Sequence, residues 1–265
     1  MNEEYILIAG LPESGKSTYI GALSYVLSHN QGKALLQNNA NTNPYVTSLA
    51  ESWMNMEQVN RSHAEDHEQL DFEVKKNEGE PFKLILPDFM GESFQRVIEQ
   101  KEKPELKNWY IKTKSLFLLM RQIRSEFVAE DNKVAEPTTP PNKVDPLTVK
   151  LMSYQAKNIM LLKYLGGQMK IDNLILGISA WDELNTKRNP KEYLKYKMPA
   201  FYNFVERYWP DTIVYGISAQ GGKYKKDDDF IDSMQEKAIK GERAYVVGDD
   251  GQPDYDITIP LSKLI

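Results

Sequence analysis

The sequence predicts a three-layer α/β fold, in which helices cover both faces of a mostly parallel sheet with one antiparallel strand. Three observations predict it. Short continuous apolar runs, the mark of strands buried on both faces, alternate with helical periodicity along most of the chain. A glycine-containing loop joins the first such run to the first helix. One pair of alternating segments lies close enough to form a hairpin. Without an internal repeat or a clear linker, the 265 residues are expected to form a single domain over 1–265.

The elements follow in order. Tyr5 to Ala9 (YILIA) is a buried strand, and Gly10 to Gly15 is a loop. Lys16 to Leu27 reads as a helix with Ile20, Leu23 and Leu27 on one face. Residues 30–62 are polar and Asn-rich, with a helix around Val46 to Met56. Gln69 to Lys75 and Phe82 to Leu86 form the hairpin. Ser93 to Lys101 reads as a helix and Ser115 to Met120 as a buried strand. Residues 129–145, rich in proline and without period, are expected to be a mobile insertion. Leu147 to Leu165 and Tyr193 to Tyr208 read as helices, and Asn173 to Ile178 and Thr212 to Ile217 as strands. Tyr224 to Asp229 (YKKDDD) reads as a solvated loop, and Ala244 to Val247 as a strand. Thr258 or a neighbour would cap a last helix, with Pro260 in its first turn.

Composition excludes several classes of function. There is no cysteine, so disulfides, zinc–thiolate sites and thiol catalysis are ruled out. A net charge of -5 argues against nucleic acid or an anionic membrane as the main partner. No apolar run is long enough to span a membrane, and the acidic N-terminus is unlike a signal peptide, so a cytoplasmic location is expected. His63 and His67 have no evident third metal ligand near them.

Gly10-Leu11-Pro12-Glu13-Ser14-Gly15-Lys16-Ser17 matches GxxxxGK[ST], a phosphate-binding loop between strand and helix. Glycines let the backbone wrap around phosphate with amide hydrogens pointing inward, and the helix N-terminus adds partial positive charge. Gly10, Glu13, Ser14, Gly15, Lys16, Ser17 and Thr18 are therefore the expected phosphate contacts. Lys16 would reach the outer phosphates, and Thr18 the innermost one. The Ser17 hydroxyl would bind magnesium.

Three weaker segments follow, each after a predicted strand. In Asp88-Phe89-Met90-Gly91, Asp88 could hold magnesium through water and Gly91 could offer its amide to the terminal phosphate. In Ser179-Ala180-Trp181-Asp182, Asp182 could accept two hydrogen bonds from guanine, or simply cap the next helix. In Ser218-Ala219-Gln220, backbone amides could bond the guanine O6.

Together GLPESGKS, DFMG, SAWD and SAQ resemble the ordered motif set of Ras-like P-loop GTPases. The resemblance implies the three-layer P-loop NTPase fold, GTP or GDP as ligand, Mg2+ as cofactor and GTP hydrolysis. The first and last blocks, ILIAGLPESGKSTYIGAL and RAYVVGDDGQPDYDITIPLSKLI, resemble the bacterial double-GTPase family of biological conflict systems. That likeness implies a nucleotide-controlled switch with a protein partner or effector in anti-phage defence.

The match departs from the Ras-like pattern at several points. Ser179 and Ala180 stand where Asn and Lys are usual, so Trp181 or another side chain would have to cover the base. Glu92 stands where many relatives have Gln. An ionised carboxylate accepts but cannot donate, so slow or partner-activated hydrolysis is expected. Ser62 is the best candidate to close on magnesium, with Thr42 and Thr47 as alternatives. Arg61 is either a built-in arginine finger or a surface arginine. Ras-like domains end in a longer helix, so this chain is either trimmed or completed by a partner. An ATP-dependent kinase-like enzyme is the rival reading, although residues 129–145 lack the arginines of a phosphate-clamping lid. A non-hydrolysing nucleotide-binding scaffold is the other.

Overall fold

The computed structural model describes residues 2–37, 43–57, 69–76, 79–87, 96, 98, 112–122, 152–225 and 227–265. One nine-stranded sheet organises them, in the order β2-β3-β4-β1-β5-β6-β7-β8-β9. The strands are β1 (Asn2–Ala9), β2 (Leu36–Gln37), β3 (Gln69–Lys75), β4 (Phe82–Pro87), β5 (Ser115–Arg121), β6 (Asn173–Ser179), β7 (Ile213–Ser218), β8 (Tyr245–Val247) and β9 (Pro253–Asp254). β4, β1, β5, β6 and β7 run parallel, with registers such as Ile8↔Phe117 and Leu118↔Leu176.

The expected hairpin is present: β3 pairs antiparallel with β4, with Leu70 opposite Leu86. The expectation of one antiparallel strand is corrected by β8, which also runs against its neighbour β7, with Ser218 opposite Tyr245. The chain leaves β7 at Ser218 and re-enters the sheet beside that point, so it runs back along the same edge.

The helices whose bounds fall among the described residues are α1 (Lys16–Ser28), α2 (Pro44–Met54), α3 (Tyr154–Gln168), α4 (Pro190–Lys197), α5 (Pro199–Tyr208), α6 (Asp228–Ile239) and α7 (Ile259–Ser262). Period-2 alternation divides their packing between the two sheet faces. Ile6, Ile8, Phe117, Leu119 and Ile217 face a core with α1, α2 and the C-terminal Ile257, Leu261 and Leu264. Leu7, Ala9, Leu116, Leu118 and Leu176 face the opposite core with α3, α4 and α5.

Three local expectations need correction. The single helix over 193–208 is two, because Met198 precedes Pro199 and takes φ -133, ψ 58; a residue before proline is pushed out of the helical region. The segment read as a loop over 224–229 runs into α6. Asp227 caps this helix by accepting from the Phe230 amide at 2.9 Å, and Asp228 and Asp229 sit in its first turn, where the helix dipole favours acids. The expected cap Thr258 does precede α7, but its hydroxyl donates to Asp256 Oδ1 at 2.6 Å rather than capping the helix.

The helix expected from 147 begins, within the described residues, at the Ser153 cap of α3. The expected insertion at 129–145 lies outside the described residues. No helix among the described residues is long and apolar enough to cross a membrane.

Candidate nucleotide-binding site

β1 ends in the core at Ala9, and the chain turns through residues 10–15 into α1. Gly15 takes φ 84 at the helix entrance, a left-handed conformation that glycine adopts without steric cost. Glu13 is also left-handed, with φ 63. Ser14 is buried, and its amide donates to the Leu11 carbonyl at 3.2 Å. A Cβ at Gly10 would run into the Leu119 carbonyl and the Ser14 hydroxyl. The loop is therefore a tight backbone turn lying against the end of β5.

Lys16 is buried to 8% exposure and donates from Nζ to the Gly10 carbonyl at 2.8 Å, with Ser14 Oγ at 3.5 Å. Its ammonium thus arches back over the loop instead of reaching into bulk water. Ser17 is exposed in the first turn of α1, and Thr18 beside it is half-buried. Ser17 is a hard oxygen donor of the kind magnesium takes, and magnesium usually combines few protein oxygens with phosphate and water. Among the described residues no group of three His, Asp or Glu could form an all-protein metal cage. The donor type at this loop therefore fits a magnesium carried by phosphate.

The expected base-reading residues converge at the same edge of the sheet. Ser179 ends β6, Ala180 is left-handed with φ 52, and Asp182 lies in the short 3-10 turn Trp181–Glu183. A Cβ at Gly15 would stand 2.9 Å from the Ser179 Cβ, so the phosphate loop and the SAWD segment are in direct contact. From β7, the fully buried Ser218 donates its hydroxyl to Asp182 Oδ1 at 2.7 Å. This bond joins the SAWD and SAQ segments through their side chains.

Trp181, which the sequence offers as a cover for the base, packs into the core. It is buried over Gly216, where a Cβ would collide with its indole, and it meets Tyr193 edge-on at 5.5 Å. Its ring belongs to the core beneath β7, which is why a glycine stands at 216.

Ala219 and Gln220 follow Ser218, and both carbonyls are engaged from behind. The Ala219 oxygen accepts from Trp53 Nε1 at 2.8 Å, and the Gln220 oxygen from Arg243 Nε at 3.0 Å. Asp88, Gly91, Glu92, Ser62 and Arg61 lie outside the described residues.

Three residues at this edge escape a reading of the sequence. Arg121 is paired in register with Ser179; it donates from Nη1 to Glu13 Oε2 at 3.3 Å and lies 4.9 Å over the Tyr154 ring. Gln122 next to it donates to Glu183 Oε2 at 3.3 Å. Their position at the carboxyl end of a parallel strand is the available signal, since α/β folds place ligands there. Tyr245 approaches from β8: burial pushes its phenol up, Asp182 adds to the rise and the Ser218 hydroxyl opposes it. Nothing in the local sequence marks Tyr245, because its place depends on the reversed strand.

Solved structures similar to this chain share little sequence with it. The Methanosarcina barkeri Roco2 RocCORdC structure bound to GDP is 13% identical with a TM-score of 0.37, over 91% of this chain and 50% of that one. The sup35 structure complexed with GDP is 14% identical with a TM-score of 0.41, over 85% of this chain and 39% of that one. The G domain of the T. maritima FeoB iron transporter is 13% identical with a TM-score of 0.37, over 90% of this chain and 98% of that one. This chain thus spans about half the Roco protein and less of the sup35 protein. No curated protein matches it. The family match spans nearly the whole chain: residues 7–264 fit Double-GTPase 1, from within β1 through the GLPESGKS loop and the SAWD and SAQ segments to the C-terminal tail. This chain belongs to the Double-GTPase 1 family.

Proposed function

We propose that this protein is a magnesium-dependent, slow GTPase that acts as a nucleotide-controlled switch. The observation that carries the reading is the contact of Gly15 with Ser179, together with the Ser218–Asp182 bond. These contacts gather the phosphate loop and both base-side segments at one sheet edge.

In this reading Lys16 and the loop amides hold the β- and γ-phosphates, and Thr18 meets the innermost one. Asp182 accepts from the two guanine donors, with one carboxylate oxygen steadied by Ser218. The backbone of 218–220 meets the guanine O6. Ser17 and Asp88 are the proposed magnesium-side residues, with Ser62 closing the other side. Magnesium, when bound, offsets the negative charge of the β- and γ-phosphate oxygens. Gly91 senses the terminal phosphate, and Glu92 stands where water would be positioned for hydrolysis. Arg61 is the candidate for stabilising charge in the transition state.

Competition binding with magnesium tests the base assignment. Labelled GTP should be displaced by GTP and GDP but poorly by ATP, and Asp182→Ala should abolish that preference. Equal or better displacement by ATP would overturn the guanine reading. Single-turnover hydrolysis tests the rate: turnover of many per second without a partner would contradict the role given to Glu92.

We further propose that a protein partner or effector controls the switch, that the protein works in the cytoplasm and that the pathway is anti-phage defence. The family likeness supports the partner and the pathway. Phage plating on cells carrying the wild-type chain or Lys16→Ala tests it, and equal protection by both would count against it.

A further inference from the structure

The base-side loop is held from behind by a side chain that the proposed function does not use. Arg243 precedes β8 and is 1% exposed. A guanidinium is costly to remove from water and is usually buried beside a carboxylate. Here its partners are of another kind. Nε donates to the Gln220 carbonyl at 3.0 Å, Nη1 to the Met54 carbonyl at 3.2 Å and Nη2 to Met56 Sδ at 2.7 Å. Its flat face lies 4.0 Å from the Trp53 ring. Burial lowers its pKa to about 10, so it remains charged at neutral pH.

Trp53 completes the grip by donating from Nε1 to the Ala219 carbonyl at 2.8 Å. Met56, left-handed at φ 57 just past α2, also accepts from Gln220 Nε2 at 2.9 Å. The end of α2 is thereby fastened to the loop after β7.

The geometry of the peptide bond gives this grip a consequence. The bond is planar and trans, so its C=O and N–H point in opposite directions. Drawing the Ala219 carbonyl toward Trp53 turns the Gln220 N–H away from Trp53. Drawing the Gln220 carbonyl toward Arg243 does the same to the Gly221 N–H. Gly221 has φ 78, and a Cβ there would collide with the Arg243 backbone. The direction of the loop amides is therefore set by residues distant in sequence.

We propose that Arg243 is a positioning residue for base recognition: it holds the Gln220 carbonyl and stacks on Trp53, whose indole fixes the Gln220 amide of the 218–220 segment, and so it sets how strongly the protein discriminates at the O6 position of guanine. The proposal rests on the reading of 218–220 as the segment that meets the base. Arg243 itself touches no nucleotide.

The experiment measures binding of GDP, 6-thio-GDP and IDP to the full chain, as wild type, Arg243→Met, Arg243→Lys and Trp53→Phe. The ratio of GDP to 6-thio-GDP affinity reads the loop amides. The ratio of GDP to IDP reads Asp182, because IDP lacks the guanine amino group. Arg243→Met should lower the first ratio about fivefold, the scale of one hydrogen bond, and leave the second within about twofold. Arg243→Lys should recover part of the loss, since it keeps the charge without the fork. Trp53→Phe removes the donor that turns the Gln220 amide but keeps a ring under the guanidinium, so it should lower the first ratio to a similar extent and gives a test that survives if Arg243→Met does not fold. If the variants weaken all three ligands equally and merely melt earlier, Arg243 is structural and the proposal is overturned. If the wild type does not distinguish GDP from 6-thio-GDP, the base-loop reading fails and takes this proposal with it.

Discussion

In the proposed site, the phosphate end and the base end are built from different materials. At the phosphate end the groups belong to one continuous stretch, Gly10 to Thr18, and most of the shape is backbone: two left-handed residues, a tight turn and a helix N-terminus. At the base end Asp182 follows β6, Ser218 and the carbonyls of Ala219 and Gln220 stand at or just past the end of β7, and Tyr245 belongs to β8; side-chain bonds hold them together. A backbone cradle recognises what all nucleotides share. An assembled constellation can recognise what distinguishes them. The two ends should therefore respond differently to mutation.

The largest effect is expected at Lys16, whose buried ammonium belongs to the common end. Lys16→Ala should weaken GTP and ATP alike, by about 100-fold or more, on the scale of charged hydrogen bonds in a desolvated site. Calorimetry with both nucleotides checks this. A loss confined to GTP would break the division between the ends.

Next comes Asp182→Ala, which should cost about 3 kcal/mol for GTP, roughly 100-fold, because two charge-assisted bonds disappear. ATP affinity should scarcely move. The same titrations measure both, and parallel losses would mean that Asp182 supports the fold rather than reads the base.

Ser218→Ala should have a smaller effect of the same kind. It removes a fully buried donor 2.7 Å from Asp182 and leaves the carboxylate in place. About tenfold weaker GTP binding is expected, the worth of one hydrogen bond to a charged group. A GTP loss as large as that of Asp182→Ala would show that the carboxylate depends entirely on Ser218 for its orientation.

The same division explains what the sequence disclosed. GLPESGKS is legible because a backbone cradle must be written in consecutive residues with glycine where φ is positive. Strand and helix alternation is legible because burial on both faces leaves continuous apolar runs, as in YILIA and SLFLLM. Asp182 and Ser218 stand out as strand-end residues, but their bond to each other is a fact of packing. Arg243 was invisible: GERAYVV looks like a surface turn entering a strand, and its burial depends on Trp53, distant in the chain. α6 is hard to read because three successive aspartates resemble solvated loop, although acids also suit a helix start.

The smallest effect should come from Arg121, which sits between the two ends. Its guanidinium reaches Glu13 in the phosphate loop, and its strand position is opposite Ser179 of the base side. Yet the Arg121 and Glu13 side chains are 50% and 70% exposed, and an ion pair in water gains little against screening and lost side-chain freedom. The Tyr154 ring beneath the guanidinium adds a modest attraction. Arg121→Ala should therefore change GTP affinity by less than about fivefold, since exposed pairs contribute under ~1 kcal/mol. Raising the salt concentration should erase even that difference. Tyr154→Phe gives a useful contrast: it keeps the ring but deletes the hydroxyl that accepts from the Arg121 amide at 2.8 Å, so its effect should be insensitive to salt. A salt-resistant loss of a hundredfold in Arg121→Ala would mean that the guanidinium leaves Glu13 for the nucleotide itself. Arg121 would then be the cation that the base segment lacks at Ala180, and the boundary between the two ends would have to be redrawn through β5.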